Sequence, residues 1–472
     1  MGTEAATCGT AKPCPISARE RRRSLHLMVL GACLAMVYSV GITSPATTEF
    51  FRDIGANEFH FGLIGGVPLI MLLMQFVGAA ALNRVRRRKS IFIVCLVVCR
   101  LLYLPVAFLP FILRRAEAPA MLGLAIALLA ISAATHNFAV PFFFSWMADL
   151  IPNRVRNRVW GWRQAAMHST WVIAFLLVTF FLYLTDWPAT VVFPLLTVIA
   201  VAAGLADVLL FIGVVEPPNL IDRDSHPLQD FLAPLRDPIY RRFVAFSCSW
   251  TFATMFAAAF MQLYVLKVLN LAPWKTTLIW CVQGLGTAAA SGMWGRYADR
   301  FGHRPVLKFC VSLKPMIVIV FLLLTPRNVI WLLPLAFFPD GILNAGNALA
   351  TNGYMLSLAP RRNRSMFIAA ITGLAGVGGG ISAMLAGLLL NRTAGWQPVC
   401  LGHALNHYHL VFAASLAMRL ACQPLLRRIK EPGAKHARQL LSAMMDEWPM
   451  WVARFPTGLF RRSDDTPPPS SD

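Results

Sequence analysis

The stretch Gly295-Arg296-Tyr297-Ala298-Asp299-Arg300-Phe301-Gly302-His303-Arg304 is a short basic segment between two long apolar segments. A related stretch in the first half of the chain reads Ala79-Ala80-Ala81-Leu82-Asn83-Arg84-Val85-Arg86-Arg87-Arg88. A charged turn that recurs once per half of an apolar chain indicates a duplicated membrane protein. Duplicated halves with a site between them are typical of secondary transporters.

The composition predicts that most of the surface faces lipid. Hydrophobic residues make up 57% and charged residues 14% of the 472 positions, and the mean hydropathy is +0.59. A soluble domain averages roughly 45–50% apolar and about 25% charged residues. The net charge of +21 lies largely in short connectors, which fits an anionic membrane surface better than nucleic acid. We therefore expect a lipid bilayer as partner and no nucleic acid.

About twelve apolar segments are long enough to cross a bilayer, which takes about 20 residues. They lie near 26–48, 61–83, 90–113, 120–149, 161–184, 188–215, 242–266, 275–296, 305–325, 329–357, 366–390 and 406–426. The longest connector, 217–240, divides them into two sets of six. The predicted fold is an all-α integral membrane protein of two pseudo-symmetric six-helix bundles.

The predicted spans divide the chain into five parts. They are a cytoplasmic N-terminal segment (1–25), an N-terminal bundle (26–216), a cytoplasmic linker (217–240), a C-terminal bundle (241–427) and a cytoplasmic tail (428–472). The tail mixes basic and apolar residues before a polar end, which predicts an amphipathic helix on the membrane surface followed by a disordered terminus. A helix that docks a partner is the alternative.

The basic residues predict the orientation in the membrane. The connectors 84–89, 154–158, 296–304 and 361–364 hold fourteen Lys or Arg, whereas the connectors on the other side hold seven. The positive-inside rule places the richer side in the cytoplasm, together with both termini. We expect a multi-pass protein of the plasma or inner membrane.

A second repeat supports the duplication. Ile151-Pro152 precedes Arg156-Asn157-Arg158, and Ala359-Pro360 precedes Arg362-Asn363-Arg364, in each case after the fourth span of its half. Two six-span halves repeated in parallel resemble the major facilitator superfamily over about residues 20–430. The signature residues of its connector are present as Gly295, Asp299, Arg300, Gly302 and Arg304.

The resemblance implies that Asp299 braces the start of the fifth span, near 160–164, and holds the cytoplasmic side closed. A helix N-terminus offers partial positive charge to such a carboxylate. The first copy of the motif has Asn83 in place of the aspartate, so its brace should be weaker. The alternative for the basic residues is a solvated loop that only fixes topology. For Arg84 both roles, in gating and in topology alone, stay open.

Asp149 lies where the fourth span meets the predicted cytoplasmic side. It could form an ion network with Arg84 and Arg88, or it could be a single carboxylate that reaches into water.

Depth along the first, fourth, seventh and tenth spans selects candidates for the solute cavity, because these spans line it in the resembled architecture. The candidates, with one residue of similar depth in the eighth span, are Tyr38, His136, Trp250, Thr254, Asn344, Asn347 and Gln283. Polar residues at such depth usually face partners or a wet cavity. They can also serve only to join helices.

Charged residues at depth are the more specific signals. Asp340 is the candidate to take up a proton or to pair with a cationic substrate, and its alternative is a structural ion pair. Arg100 and Asp207, in the third and sixth spans, are expected to form a structural ion pair. Lys314 and Arg419 occupy comparable places in the second half, without an evident acid.

These features predict a secondary active transporter that moves a small polar solute, such as a sugar or glycoside, by alternating access and coupled to a proton or sodium ion. An organic acid or a drug-like solute would also fit. We expect a monomer that is not an enzyme and holds neither cofactor nor metal. The alternatives are a multi-pass membrane enzyme and a non-transporting sensor on the same fold.

Overall fold

The structure, a computed structural model, describes residues 17–82, 84–113, 117–152, 155–218, 235–358, 364–396, 399–400, 403–429, 431 and 439–444. Asn83 of the first motif copy lies outside these residues, as do most of the predicted linker and most of the tail.

The first half is built of helices only. They are α1 Ala18–Thr43, α2 Pro45–Asp53, α3 Glu58–Ile70, a 3-10 turn Met71–Leu73, α4 Met74–Leu82, α5 Arg88–Leu101, α6 Tyr103–Ile112, α7 Ala118–Leu150, α8 Arg156–Leu184 and α9 Ala189–Ile212.

The second half repeats this plan and adds one small hairpin. Its elements are α10 Pro238–Lys267, α11 Pro273–Phe301, α12 His303–Leu313, α13 Pro315–Leu323, α14 Val329–Leu358, α15 Arg364–Arg392, β1 Val399–Cys400, β2 His403–Ala404, α16 His407–Ala421 and α17 Gln423–Arg427. The two strands pair antiparallel, with Val399 opposite Ala404.

Eleven helical segments of the described chain are long and apolar enough to cross a membrane. They correspond to eleven of the twelve predicted spans. The remaining predicted span, 275–296, is the 29-residue helix α11, which is more polar than the others but packs within the same bundle against α14. The all-helical membrane fold predicted from the sequence is confirmed.

Helix α1 begins upstream of the predicted first span because its start is capped. The Ser17 hydroxyl accepts from the Glu20 amide at 3.2 Å, and the Glu20 carboxylate accepts from the Ser17 amide at 3.1 Å. This reciprocal capping satisfies two donors that would otherwise be exposed at the helix start. The helix therefore extends through the basic residues that precede the apolar run.

The two halves contact each other mainly along two helix pairs, α3 with α15 and α8 with α11, and α15 also contacts the 3-10 turn and α4. In the first pair, a Cβ on Gly66 would lie 2.6 Å from the carbonyl oxygen of Gly380, and one on Gly62 would lie 2.8 Å from that of Ala383. Only glycine allows backbones to approach this closely, and small residues drive helix association in lipid. Glycines of α15 such as Gly380 thus lie at the interface between the halves.

The bundle has two distinct ends. We call the end that holds the connector 84–87 and the start of α12 the basic end, and the end that holds 54–57 and 268–272 the opposite end. At the opposite end one hydrophobic cluster joins both halves, for example Phe50 and Phe61 with Phe260 and Phe412. At the basic end each half has a cluster of its own.

Helices α8 and α11, one from each half, also contact each other at the opposite end and, within the described chain, not at the basic end. Near the opposite end the rings of Tyr183 and Trp274 lie 5.2 Å apart, and midway a Cβ on Gly284 would collide with Trp171. Nearer the basic end, a Cβ on Gly161 or Gly292 would meet no atom of the described residues within 4 Å. The halves are therefore packed together at the opposite end and separate toward the basic end.

Candidate functional site

A polar cluster lies in the middle of the second half and joins several predicted site residues. The Asp340 carboxylate accepts from the Gln283 amide at 2.7 Å and from the Asn344 amide at 3.0 Å. Lys314 Nζ lies 3.7 Å from the other Asp340 oxygen and also donates to the Asn344 side-chain oxygen. The cluster thus contains an acid for Lys314, which the sequence alone did not reveal.

Lys314 occupies a break in the ninth span, between α12 and α13. Pro315 has no amide hydrogen, so the Val311 carbonyl lacks its usual helical donor. The Gln423 amide replaces that donor at 3.2 Å. Arg419 donates to the Lys314 carbonyl at 3.4 Å and to the Thr254 carbonyl at 3.5 Å, so the twelfth span supplies polar partners at the break.

The corresponding place in the first half holds a simpler arrangement. Arg100 Nη2 lies 3.0 Å from the Asp207 carboxylate, and both side chains are buried. The Arg100 guanidinium also lies over the ring of Tyr38, 3.9 Å from its centroid. Gly204 makes room for this stack, because a Cβ there would lie 2.8 Å from Arg100 Cδ. Tyr38 is thus 4% exposed and packs on the ion pair.

The other cavity candidates have different surroundings. Trp250 is buried and stacks with Phe246, with centroids 6.3 Å apart, while the Thr254 hydroxyl donates to the Trp250 carbonyl of its own helix at 2.9 Å. His136, midway along α7, keeps an exposed side chain. Asn347 is half-buried one turn beyond Asn344, and its amide oxygen accepts no hydrogen bond within the described chain.

At the basic end of the first half, Arg88 joins the start of α5 to α7 and to the segment that follows α9. It is fully buried and contacts the Asp149 carboxylate at 2.6 Å, the Ser145 hydroxyl at 2.9 Å and the Pro217 carbonyl at 2.9 Å. Asp149 is half exposed. The structure therefore brings Arg88 and Asp149 together in an ion network.

Two helix caps were missed by the sequence reasoning. The Glu216 carboxylate accepts from the Lys89 amide at the start of α5, at 3.0 Å. The Glu431 carboxylate accepts from the amides of His303 and Arg304 at the start of α12, at 3.2 and 2.6 Å. The sequence does contain a repeated pattern that marks them, because each glutamate precedes a proline shortly after the sixth span of its half.

The motif connector between α11 and α12 turns at Gly302. Its φ of 95° lies in the region that favours glycine. Asp299 is exposed, and within the described chain no hydrogen bond or ion pair joins it to the start of α8. The brace therefore stays a prediction for a conformation in which the halves meet at this end.

A polar cluster that joins the two halves lies at the opposite end, around Glu58 at the start of α3. Its carboxylate is 2.5 Å from Lys267 Nζ, 3.2 Å from the Tyr408 hydroxyl and 3.9 Å from His407 Nε2. These three partners belong to the second half, so Glu58 joins the halves where they are closed.

The sequence profile described as Major Facilitator Superfamily matches residues 27–313 and, in a second match, 276–406. The chain belongs to the major facilitator superfamily. Since this is a family of membrane transporters, the protein is a multi-pass membrane transporter and not an enzyme.

Solved structures of the superfamily share the fold at low sequence identity. A point mutant of the nucleoside transporter NupG gives a TM-score of 0.65 at 11% identity, over 87% of this chain and 100% of that one. A D-xylose-proton symporter gives 0.63 at 14%, over 88% and 99%. A bacterial homologue of the human lysosomal transporter Spinster, inward-facing and unoccupied, gives 0.59 at 15%, over 89% and 100%. No curated protein matches the sequence.

Proposed function

We propose that this superfamily member is a secondary active transporter that moves a small polar solute across a cell membrane by alternating access, coupled to a proton or a sodium ion. The observation that carries the proposal is the Lys314–Asp340 cluster in the middle of the second half, in a molecule whose halves are closed at the opposite end and separate toward the basic end. A charged site that is reachable from one side at a time is what alternating access requires.

The orientation follows from the charge distribution. The basic end faces the cytoplasm under the positive-inside rule, so this conformation is open to the inside. Sugars and glycosides are the first solutes to test, because the amides of Asn344 and Asn347 and the exposed imidazole of His136 suit hydrogen bonding to hydroxyls. The protein works as a monomer, since each chain contains both halves.

Counterflow in proteoliposomes tests transport itself. Vesicles loaded with an unlabelled solute should accumulate the labelled solute transiently and saturably, because only a carrier exchanges one side's solute for the other's. A panel of sugars, glycosides and sugar acids should yield at least one such solute. Binding of a solute without any counterflow would instead support the sensor alternative.

Coupling is tested by Asp340→Asn. The amide cannot exchange a proton, so accumulation driven by an ion gradient should fall at least tenfold, about 1.4 kcal/mol, while counterflow persists. The measurement compares uptake under an imposed proton gradient, an imposed sodium gradient and no gradient. Glu49→Gln, which removes an acid at the opposite end, is the control. Undiminished gradient-driven accumulation by Asp340→Asn would exclude Asp340 as the coupling residue.

A further inference from the structure

The polar cluster of the second half contains more positive than negative charge. Lys314 and Arg419 face one carboxylate, Asp340, and the Asp340 and Arg419 side chains are almost fully buried. At the corresponding place in the first half, Arg100 is matched by Asp207. The second half carries Arg419 where the first carries Asp207, so it has an excess of one positive charge.

This excess charge has no strong partner within the described chain. Arg419 is 3% exposed, and its two hydrogen bonds, at 3.4 and 3.5 Å, go to backbone carbonyls rather than to a carboxylate. Its Nε has no hydrogen-bond partner within the described chain. A buried guanidinium is stable only when it is paired and well hydrogen-bonded. Within the described chain the site therefore carries a positive charge that no carboxylate neutralises.

Lys314 is the charged member of the cluster that keeps some exposure, whereas Asp340 and Arg419 are almost fully buried. The Lys314 side chain retains 12% exposure. Asn344 and Asn347, on the helix that carries Asp340, are half-buried. One turn beyond Asn344, Ala348 is exposed. Because the halves separate toward the basic end, we expect a solute to reach Lys314 from that side and Arg419 behind it.

We propose that Lys314 and Arg419 bind an anionic oxygen group, a carboxylate or a phosphate, of the transported solute. This inference rests on the proposed function and names the substrate class, a hydroxylated organic anion such as a sugar acid. A monoanion neutralises the excess charge as it binds, and a carboxylate or phosphate matches the planar fork of Arg419. Asn344 and Asn347 then donate to or accept from the hydroxyl groups.

The electrostatic potential at the site is measurable without knowledge of the substrate. Ala348→Cys is introduced into the full-length protein in detergent, and its reaction rates with an anionic sulfonate and a cationic trimethylammonium methanethiosulfonate are compared. The seven described cysteines have free thiols, so the parent protein is treated in parallel. Relative to a free thiol in solution, the anionic reagent should be favoured by roughly tenfold, because a cleft of one charge sign concentrates the opposite ion.

Matched variants assign this preference to the cluster. Arg419→Gln in the Ala348→Cys background should abolish most of the preference, Arg419→Lys should keep it, and Arg52→Gln should leave it unchanged because that side chain lies at the opposite end. A preference for the cationic reagent, or no reaction of either reagent, would overturn the proposal. An anionic preference that survives in Arg419→Gln would also overturn the proposal.

Protection of the same cysteine distinguishes the two anionic groups. Gluconate should slow its modification if the group is a carboxylate, and glucose 6-phosphate if it is a phosphate. Stronger protection by glucose than by either anion would overturn the inference. The reagent rates involve no flux, so a failure of counterflow would remove the proposed function while leaving this measurement intact.

Discussion

At the scale of single residues, the first half contains two buried charges that are partners of each other. Arg100 and Asp207 form a buried pair, with the Tyr38 ring against the guanidinium. A charge at this depth is costly unless it is paired. The sequence predicted this pairing from depth alone, whereas the acid near Lys314 could not be found without the packing of the ninth span against the tenth.

The pair can be tested by double substitution. Arg100→Gln alone leaves a buried carboxylate without a partner, which should cost about 3–5 kcal/mol, whereas Arg100→Gln with Asp207→Asn should cost less than the sum of the single changes. Thermal denaturation of the purified protein measures the difference. Arg52→Gln is the control, since its pair with Glu49 is 39% exposed on the arginine side and is worth about 0–1 kcal/mol. Equal midpoints for Arg100→Gln and Arg52→Gln would contradict this account.

At the scale of helices, glycine and proline decide where elements meet and break. Pro315 ends α12 beside Lys314, and the lost helical hydrogen bond is replaced by Gln423. The glycines of α15 lie against α3 and form the contact between the halves. Only the tertiary structure shows that the partner of these glycines is the second span.

Gly66→Ala tests this contact. The new methyl group would lie 2.6 Å from the Gly380 carbonyl oxygen, so α3 and α15 must move apart at a cost of about 1–3 kcal/mol. The thermal midpoint should fall accordingly. Gly123→Ala, where a Cβ meets nothing within 4 Å, should be neutral or stabilising by up to about 1 kcal/mol. An unchanged midpoint for Gly66→Ala would show that the contact is not tight.

At the scale of the whole molecule, the two ends of the bundle are packed differently. Glu58 and its partners Lys267, His407 and Tyr408 hold the opposite end closed, together with the hydrogen bond from Gln262 to Thr48 at 3.1 Å. The proposed brace at Asp299 acts at the basic end. The two sets of contacts should therefore form in different conformations.

Glu58→Gln should favour opening of the opposite end. Lys267 is 45% exposed, so the pair is partly screened and its loss should shift the conformational equilibrium by about 1 kcal/mol, roughly fivefold. Cross-linking of a Thr48→Cys, Gln262→Cys pair reports closure and should slow, by at most that factor because the rate follows the closed fraction. Glu49→Gln at the same end should have no effect, and equal rates in both variants would contradict the role of Glu58.

Asp299→Ala should weaken closure of the basic end. The loss of one carboxylate at a helix start removes about 0.3–1 kcal/mol, and uptake should fall severalfold while membrane insertion and expression are unchanged. Asp186→Ala, an exposed acid in a connector at the opposite end, is the matched control. Normal uptake by well-expressed Asp299→Ala protein would leave the motif with a topological role only.

The sequence by itself determined the membrane class, the helical fold, the duplication and the family, because hydropathy, connector charge and repeated motifs are local signals that survive without coordinates. It also selected Arg100, Asp207, Asp340, Asn344 and Gln283 by depth. Only the tertiary structure decided which of them touch, that Lys314 has an acid, that Trp250 packs in the core, and which end is closed. Those properties depend on distances between helices far apart in the chain, and periodicity along one helix carries no information about its neighbour.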